Sequence, residues 1–137
     1  MVAPDGSPDG PDEVSVYDSV GGLPWFVALV DRFYDAVAID PVLTPLYPQD
    51  LRESRRTTSL FLAQFWGGPP HYSKVRGHPR LRMRHFPFAI GLAERDAWLG
   101  HMLAAVRSSP VPLPSEVEAL FVEYFERASS AMINQDR

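Results

Sequence analysis

The 137-residue chain contains no cysteine. That excludes a disulfide framework, a thiolate metal site, a thiol nucleophile and a Cys-x-x-Cys-His motif for covalent cofactor attachment. No apolar run approaches the roughly 20 residues that a helix needs to cross a bilayer. The first 14 residues, rich in Pro, Gly and Asp, have neither the basic stretch nor the apolar stretch of a secretory signal. The expected location is therefore cytoplasmic, with no stable membrane insertion. Also missing are an alternating strand pattern, an Asn-Gly hairpin signal and an internal repeat. No flavin or nicotinamide motif is present either. Helices are left to carry the fold, and an all-α class is expected.

What is there is ordinary in bulk: 45% apolar and 22% charged residues, in a chain long enough for one core without staples. Residues 1–14 read as a disordered tail and residues 15–137 as a single domain. The net charge is −4, yet Lys74, Arg76, Arg80, Arg82 and Arg84 place five of the thirteen basic residues within eleven positions. A nucleic-acid patch is the first alternative that such a cluster raises. The acidic balance and the lack of any nucleic-acid motif argue against it. A small anionic group, such as a carboxylated cofactor, needs only one or two of those arginines.

Apolar spacing marks the elements. Tyr17 to Val20 form a short turn that Gly21-Gly22 breaks. From Pro24 to Ala38, the residues Phe26, Leu29, Val30, Phe33 and Val37 make one helical stripe with Tyr34 at its edge. Pro41, Pro45 and Pro48 chop the next stretch into turns and hold Tyr47 in a corner. Asp50 and Glu53 have the spacing of a capping box. The helix they open carries Leu51, Thr58, Phe61, Leu62 and Phe65 on one face and stops at Gly67-Gly68-Pro69-Pro70. Thr58 puts a hydroxyl where a pure core helix would have Leu. A polar loop is expected over 71–75. A helix over 93–107 aligns Trp98, Met102, Ala105 and Val106, and Ser109 to Pro114 cannot continue it. Ser115 and Glu118 suggest a second capping box, before a stripe of Val117, Leu120, Phe121, Tyr124, Phe125, Ala128 and Met132.

The densest run is Arg76 to Phe88. His78 and Pro79 suit the start of a short helix, Pro87 ends it, and Leu81 and His85 lie four apart on one face. A single imidazole on an apolar face is more often a packed, hydrogen-bonded core residue than a ligand. Spacing leaves both readings open.

The Gly-Gly pairs at 21–22 and 67–68, Arg32-Phe33-Tyr34, Leu46-Tyr47-Pro48, Phe65-Trp66-Gly67-Gly68-Pro69, the run from Tyr72 to Phe88 and Glu94-Arg95-Asp96-Ala97-Trp98-Leu99 together resemble one family. It is the group II truncated haemoglobins, the O-type of bacteria, and the resemblance spans roughly Val16 to Asn134. It implies a two-over-two helical sandwich around haem b. Carried over by position, His85 matches the proximal iron ligand, and Tyr34, Tyr47 and Trp98 match the distal pocket. Ser54 and Thr57 match distal-helix positions near the haem edge. Phe33, Phe61, Leu62 and Phe65 fit either ring-packing walls or plain core. Tyr72 and Arg84 are the candidates for the propionates. Thr58 departs from the family's usual Leu.

Two functions follow from the resemblance. One is binding of O2, and of other diatomic ligands such as CO and NO, at a five-coordinate ferrous haem with slow O2 release. The other is a haem redox enzyme, carrying out NO dioxygenation or peroxide reduction, that depends on an outside electron donor of unknown identity. A haem-free helical interaction module is a third reading, and a homo-oligomer is compatible with all three. His71 and His101 receive no role. The His85→Ala variant is expected to lose stable haem binding, read as loss of the Soret band; a normal five-coordinate ferrous spectrum in that variant would remove His85 as ligand.

Overall fold

The computed structural model describes residues 15–77 and 88–135. Helix α1 spans Val16–Val20, α2 Leu23–Val37, α3 Arg52–Phe65, α4 His71–Arg76, α5 Leu92–Arg107 and α6 Ser115–Ala131, with a 3-10 turn at Thr44–Leu46. No strand occurs among the described residues. Helix α2 packs against α3 and α5, and α5 packs against α6, so two helical pairs lie face to face. This is the expected two-over-two sandwich. The short helix expected over 79–86, with Arg84 and His85, lies outside the described residues.

The stripe on α2 behaves as its spacing dictates. Phe26, Leu29, Val30, Phe33 and Val37 are all fully buried, and against them α5 contributes Met102 and Val106 and α6 contributes Phe121 and Phe125. Trp25 stacks on Phe121 at 5.3 Å between ring centroids, and its indole N–H donates to Ser109 Oγ at 3.0 Å. Arg32 reaches across to α5, donating through Nε and Nη2 to the Ala105 carbonyl at 3.2 and 2.8 Å. A cation there also complements the negative end of the α5 dipole.

Three local expectations need correction. Asp50 does not cap α3; its Oδ1 accepts from the Arg52 amide at 3.0 Å while Arg52 Nη2 pairs with Oδ2 at 2.8 Å. A side chain used in its own two-residue turn is not free to cap, and Leu51 takes the capping position instead. Ser115 is the first residue of α6 rather than its cap, because Pro114 precedes it in extended conformation and its carbonyl receives the Val117 and Glu118 amides at 3.0 Å each. Glu118 turns toward Arg107, 3.6 Å away. The loop expected over 71–75 is helical. Gln64 at the end of α3 holds it, donating to Ser73 Oγ at 2.7 Å and accepting from the Ser73 amide at 3.0 Å.

On α3 the buried face is Ser59, Leu62 and Ala63, whereas Phe65 is 50% exposed. The Ser59 hydroxyl avoids an unpaired burial by donating back to the Arg55 carbonyl at 2.8 Å. Leu120, on the α6 stripe, is likewise half exposed.

The pair Gly67-Gly68 seats α1. The Tyr17 amide donates to the Trp66 carbonyl at 2.9 Å, and the chain passes so close that a Cβ on Gly68 would sit 2.5 Å from the Tyr17 ring and 2.8 Å from the Ala63 carbonyl oxygen. Gly67 has φ +108°, and a Cβ there would meet Ser15 Cβ at 2.7 Å. Gly68→Ala is therefore expected to destabilise the fold by about 1–3 kcal/mol, measured by chemical denaturation; a midpoint equal to that of the parent chain would show that α1 is not held by this contact.

Candidate functional site

Between the two helical pairs lies a cavity of about 370 Å³, within the roughly 300–1,000 Å³ of small-molecule and cofactor sites. Most of its wall is apolar: Leu43 and Leu46 from the 40–47 corner, Phe61 and Leu62 from α3, Phe88 and Ile90 before α5, Met102 from α5, and Phe125, Ala128 and Met132 from α6 and its end. The polar groups collect in two places.

The first is a cluster of hydroxyls and one indole. Tyr34, Tyr47, Ser54, Thr58 and Trp98 all line the cavity. The Tyr34 hydroxyl and Thr58 Oγ1 are 3.0 Å apart, so Thr58 pairs a buried phenol. The Tyr34 and Tyr47 rings meet edge to face at 5.6 Å. The Trp98 indole lies beside the Tyr47 side chain, and an indole N–H can only donate. Trp98 is fixed from behind by Phe33 at 5.3 Å and Phe125 at 5.8 Å.

Burial pushes both cavity phenols above the ordinary tyrosine range. For Tyr34 the Thr58 hydrogen bond and the Arg55 charge oppose that push without cancelling it. For Tyr47 burial acts together with the neighbouring Tyr34. Both side chains therefore keep their protons at neutral pH and remain donors. Arg55 places a positive charge 5.9 Å from the Tyr34 ring centroid. It is committed to α2, with Nη1 3.0 Å from Asp31 Oδ1 and Nη2 3.0 Å from Asp35 Oδ1.

The second polar place is cationic. Arg76 and Arg95 line the cavity together with Glu94. Glu94 is occupied locally, its Oε1 accepting from the Gly91 amide at 2.8 Å. Arg95 donates through Nη1 to Ser130 Oγ at 3.2 Å. Its Nε lies 3.0 Å from Asp96 Oδ1 but off the line of a hydrogen bond. Arg95 precedes Trp98 by three residues on α5 and so shares its face. That spacing was legible in the sequence, yet Arg95 was missed as a site residue.

Of the residues singled out from sequence, Tyr34, Tyr47, Ser54, Thr58, Phe61 and Trp98 are brought together around one cavity. Thr57 and Tyr72 are not among its lining residues. The Thr57 hydroxyl donates to the Glu53 carbonyl at 3.0 Å, and buried Tyr72 packs behind Phe61 at 5.3 Å. Arg84 and His85 lie outside the described residues. His101, given no role from sequence, pairs with Asp40 at 2.6 Å. No group of three or more His, Cys, Asp or Glu side chains that could hold a metal ion occurs among the described residues. No helix among them is long and apolar enough to cross a membrane.

The lining fits a largely apolar group bearing anionic substituents: apolar walls, two arginines, and one carboxylate already hydrogen-bonded. Spectrophotometric titration is expected to show at least three of the five tyrosines resisting ionisation in the folded protein as pH passes about 10, the usual phenol range. Those three are Tyr34, Tyr47 and Tyr124, the last pushed by burial up to about 12. Complete ionisation at the ordinary phenol pH without unfolding would contradict this burial.

Comparison with known proteins agrees with the fold. The bacterial-like globin profile matches residues 15–134. The group 2 truncated haemoglobin YjbI of Bacillus subtilis is 43% identical over 107 residues, covering 78% of this chain and 80% of that protein. A thermostable haemoglobin from the actinobacterium Thermobifida fusca superposes with a TM-score of 0.86 at 50% identity, over 90% of this chain and all of the other. A truncated oxygen-avid haemoglobin from Bacillus subtilis gives a TM-score of 0.81 at 36% identity, over 88% of this chain and all of the other. The chain thus belongs to the bacterial-like globins, as a group II truncated haemoglobin, a family that implies a haem cofactor and haem-based ligand binding.

Proposed function

We propose that this cavity holds haem b, with His85 as the proximal ligand, and that it retains O2 and related diatomic ligands through hydrogen bonds from the opposite wall. The observation that carries the reading is the convergence of Tyr34, Tyr47, Thr58 and Trp98 on one cavity whose wall is mostly apolar. Such donors have no purpose against a purely hydrocarbon ligand. The likeness to a Bacillus subtilis protein described as oxygen-avid supports O2 as the first ligand to test.

Haem b in this cavity would supply a ferrous iron that takes a diatomic molecule. The chain does the rest. Leu43, Phe61, Leu62, Met102 and Phe125 would exclude water and pack against the macrocycle. Arg76 and Arg95, which also line the cavity, would donate to the anionic propionates, and Arg84 is the further candidate from the 78–87 segment. The Tyr47 O–H and the Trp98 indole N–H, which both line the cavity, would donate to the outer atom of a bound ligand. The hydroxyl pair of Tyr34 and Thr58 offers one further O–H, because a chain of two hydroxyls uses one proton between them and leaves the other.

Each such hydrogen bond contributes about 1.5 kcal/mol, and two together slow ligand escape about a hundredfold. A protein that holds O2 in this way suits retention or sensing better than bulk carriage. Trp98→Phe in haem-loaded protein is expected to speed O2 dissociation about tenfold, measured by stopped-flow displacement. An unchanged rate would take Trp98 off the list of groups that hold the ligand.

A further inference from the structure

We infer that His101 is a positioning residue for the distal wall, acting through Asp40 to fix the Tyr47 hydroxyl against Trp98. The inference rests on the reading of the cavity as a haem and diatomic-ligand site, but its geometry stands by itself.

Asp40 roots the corner that carries Tyr47, and it uses both carboxylate oxygens to do so. Oδ1 accepts from the Val42 amide at 2.8 Å, and Oδ2 meets His101 Nε2 at 2.6 Å. Its backbone carbonyl accepts from the Leu43 and Thr44 amides at 3.1 and 2.9 Å, the Leu43 carbonyl from Leu46 at 2.9 Å, and the Thr44 carbonyl from Tyr47 at 3.2 Å. Leu43, at 1% exposure, plugs the corner into the core. An unbroken run of hydrogen bonds thus leads from Asp40 to the Tyr47 backbone. The Tyr47 side chain lies beside Trp98, three residues before His101 on α5.

The His101 contact thus ties the corner that carries Tyr47 to the helix that carries Trp98, and the loop cannot pivot about Leu43 without breaking it. The hydrogen bond from His101 also holds the Asp40 carboxyl below the ordinary aspartate range. Asp40 is therefore ionised and accepts, and Nε2 of the imidazole is the donor. The Asp40 side chain is only 16% exposed and His101 31%, so the pair is better shielded than a surface ion pair of two long side chains, whose net effect is near zero.

The test uses the full-length haem-loaded chain. His101→Leu is expected to speed O2 release about fivefold, the loss of part of one hydrogen bond, and to raise the infrared C–O stretching frequency of the CO complex. It should also hasten solvent exchange of the Trp98 indole N–H, followed by NMR. His101→Gln, whose amide can still donate to Asp40, should return all three readouts toward those of the parent chain. In a Tyr47→Phe background, His101→Leu should change O2 release no further. The inference is overturned if His101→Leu leaves release and indole exchange unaltered, or if its effect on release is undiminished when Tyr47 is already Phe. Should Tyr47→Phe itself leave O2 release unchanged, the ligand reading of the cavity fails. Indole exchange in His101→Leu then decides alone whether His101 positions Tyr47.

Discussion

Two phenols buried at a helix interface set the terms for the rest of this structure. A hydroxyl taken out of water without a partner costs about 1–3 kcal/mol, and Tyr34 and Tyr47 both sit where water is largely excluded. Tyr34 has a partner from another helix, Thr58 of α3, and Tyr47 meets the Tyr34 ring edge to face with the Trp98 indole of α5 beside it. Those contacts oblige α3 and α5 to hold their register against α2 and the 40–47 corner. The cavity is what lies between pieces so constrained. The wall that carries Tyr34 and Tyr47 is uncharged, since burial keeps both phenols protonated, and a neutral donor wall suits a ligand with little charge of its own.

Rigidity behind that wall comes from aromatic packing. Phe33 backs both Tyr34 and Trp98, at 4.9 and 5.3 Å, while Phe125 closes on Trp98 from α6. Edge-to-face contacts of this kind add about 0.5–1.5 kcal/mol beyond burial, and they fix ring orientation, which is what a directional N–H needs. The same network continues through Phe121 to Trp25 and Trp66, so the donor geometry is tied to the part of the molecule farthest from exchange with solvent. Gly67 and Gly68 belong to this support. By letting α1 lie against the end of α3 they cover the outer side of Phe26, whose ring stacks on Tyr17 at 6.0 Å.

Those features differ in how openly the sequence displays them. The α2 stripe and the α5 and α6 cores are legible because burial of one helical face forces a 3.6-residue period. The distal residues are legible only through family resemblance, since Tyr34, Tyr47 and Trp98 belong to three different elements and nothing in their spacing announces that they meet. Helix starts are misleading for a physical reason. Asp50 and Ser115 have capping chemistry, but Arg52 captures the first and Pro114 displaces the second, and both competitors act within two residues. Helix α4 is hidden because its hold is tertiary: the side chain that stabilises it, Gln64, lies nine residues from Ser73 in the chain. Arg95 and His101 are hidden because each looks like a surface charge until α5 is placed, after which one faces the cavity and the other faces Asp40.

The departure at Thr58 then acquires a specific meaning. An aliphatic side chain there would leave the Tyr34 hydroxyl with no partner on α3, free to turn wholly toward the cavity. With Thr58 present the two oxygens share a proton between them, so the pair can donate outward from either Tyr34 or Thr58 according to where the ligand lies. Tyr47 differs, because its neighbour Trp98 can never accept. On the proposed reading of the cavity, the wall would combine one donor held by the Asp40 corner with one that is adjustable. Discrimination among diatomic ligands, which differ in how strongly their outer atom attracts a proton, would then fall mainly to Tyr47, and accommodation of their different tilts to the Tyr34 and Thr58 pair.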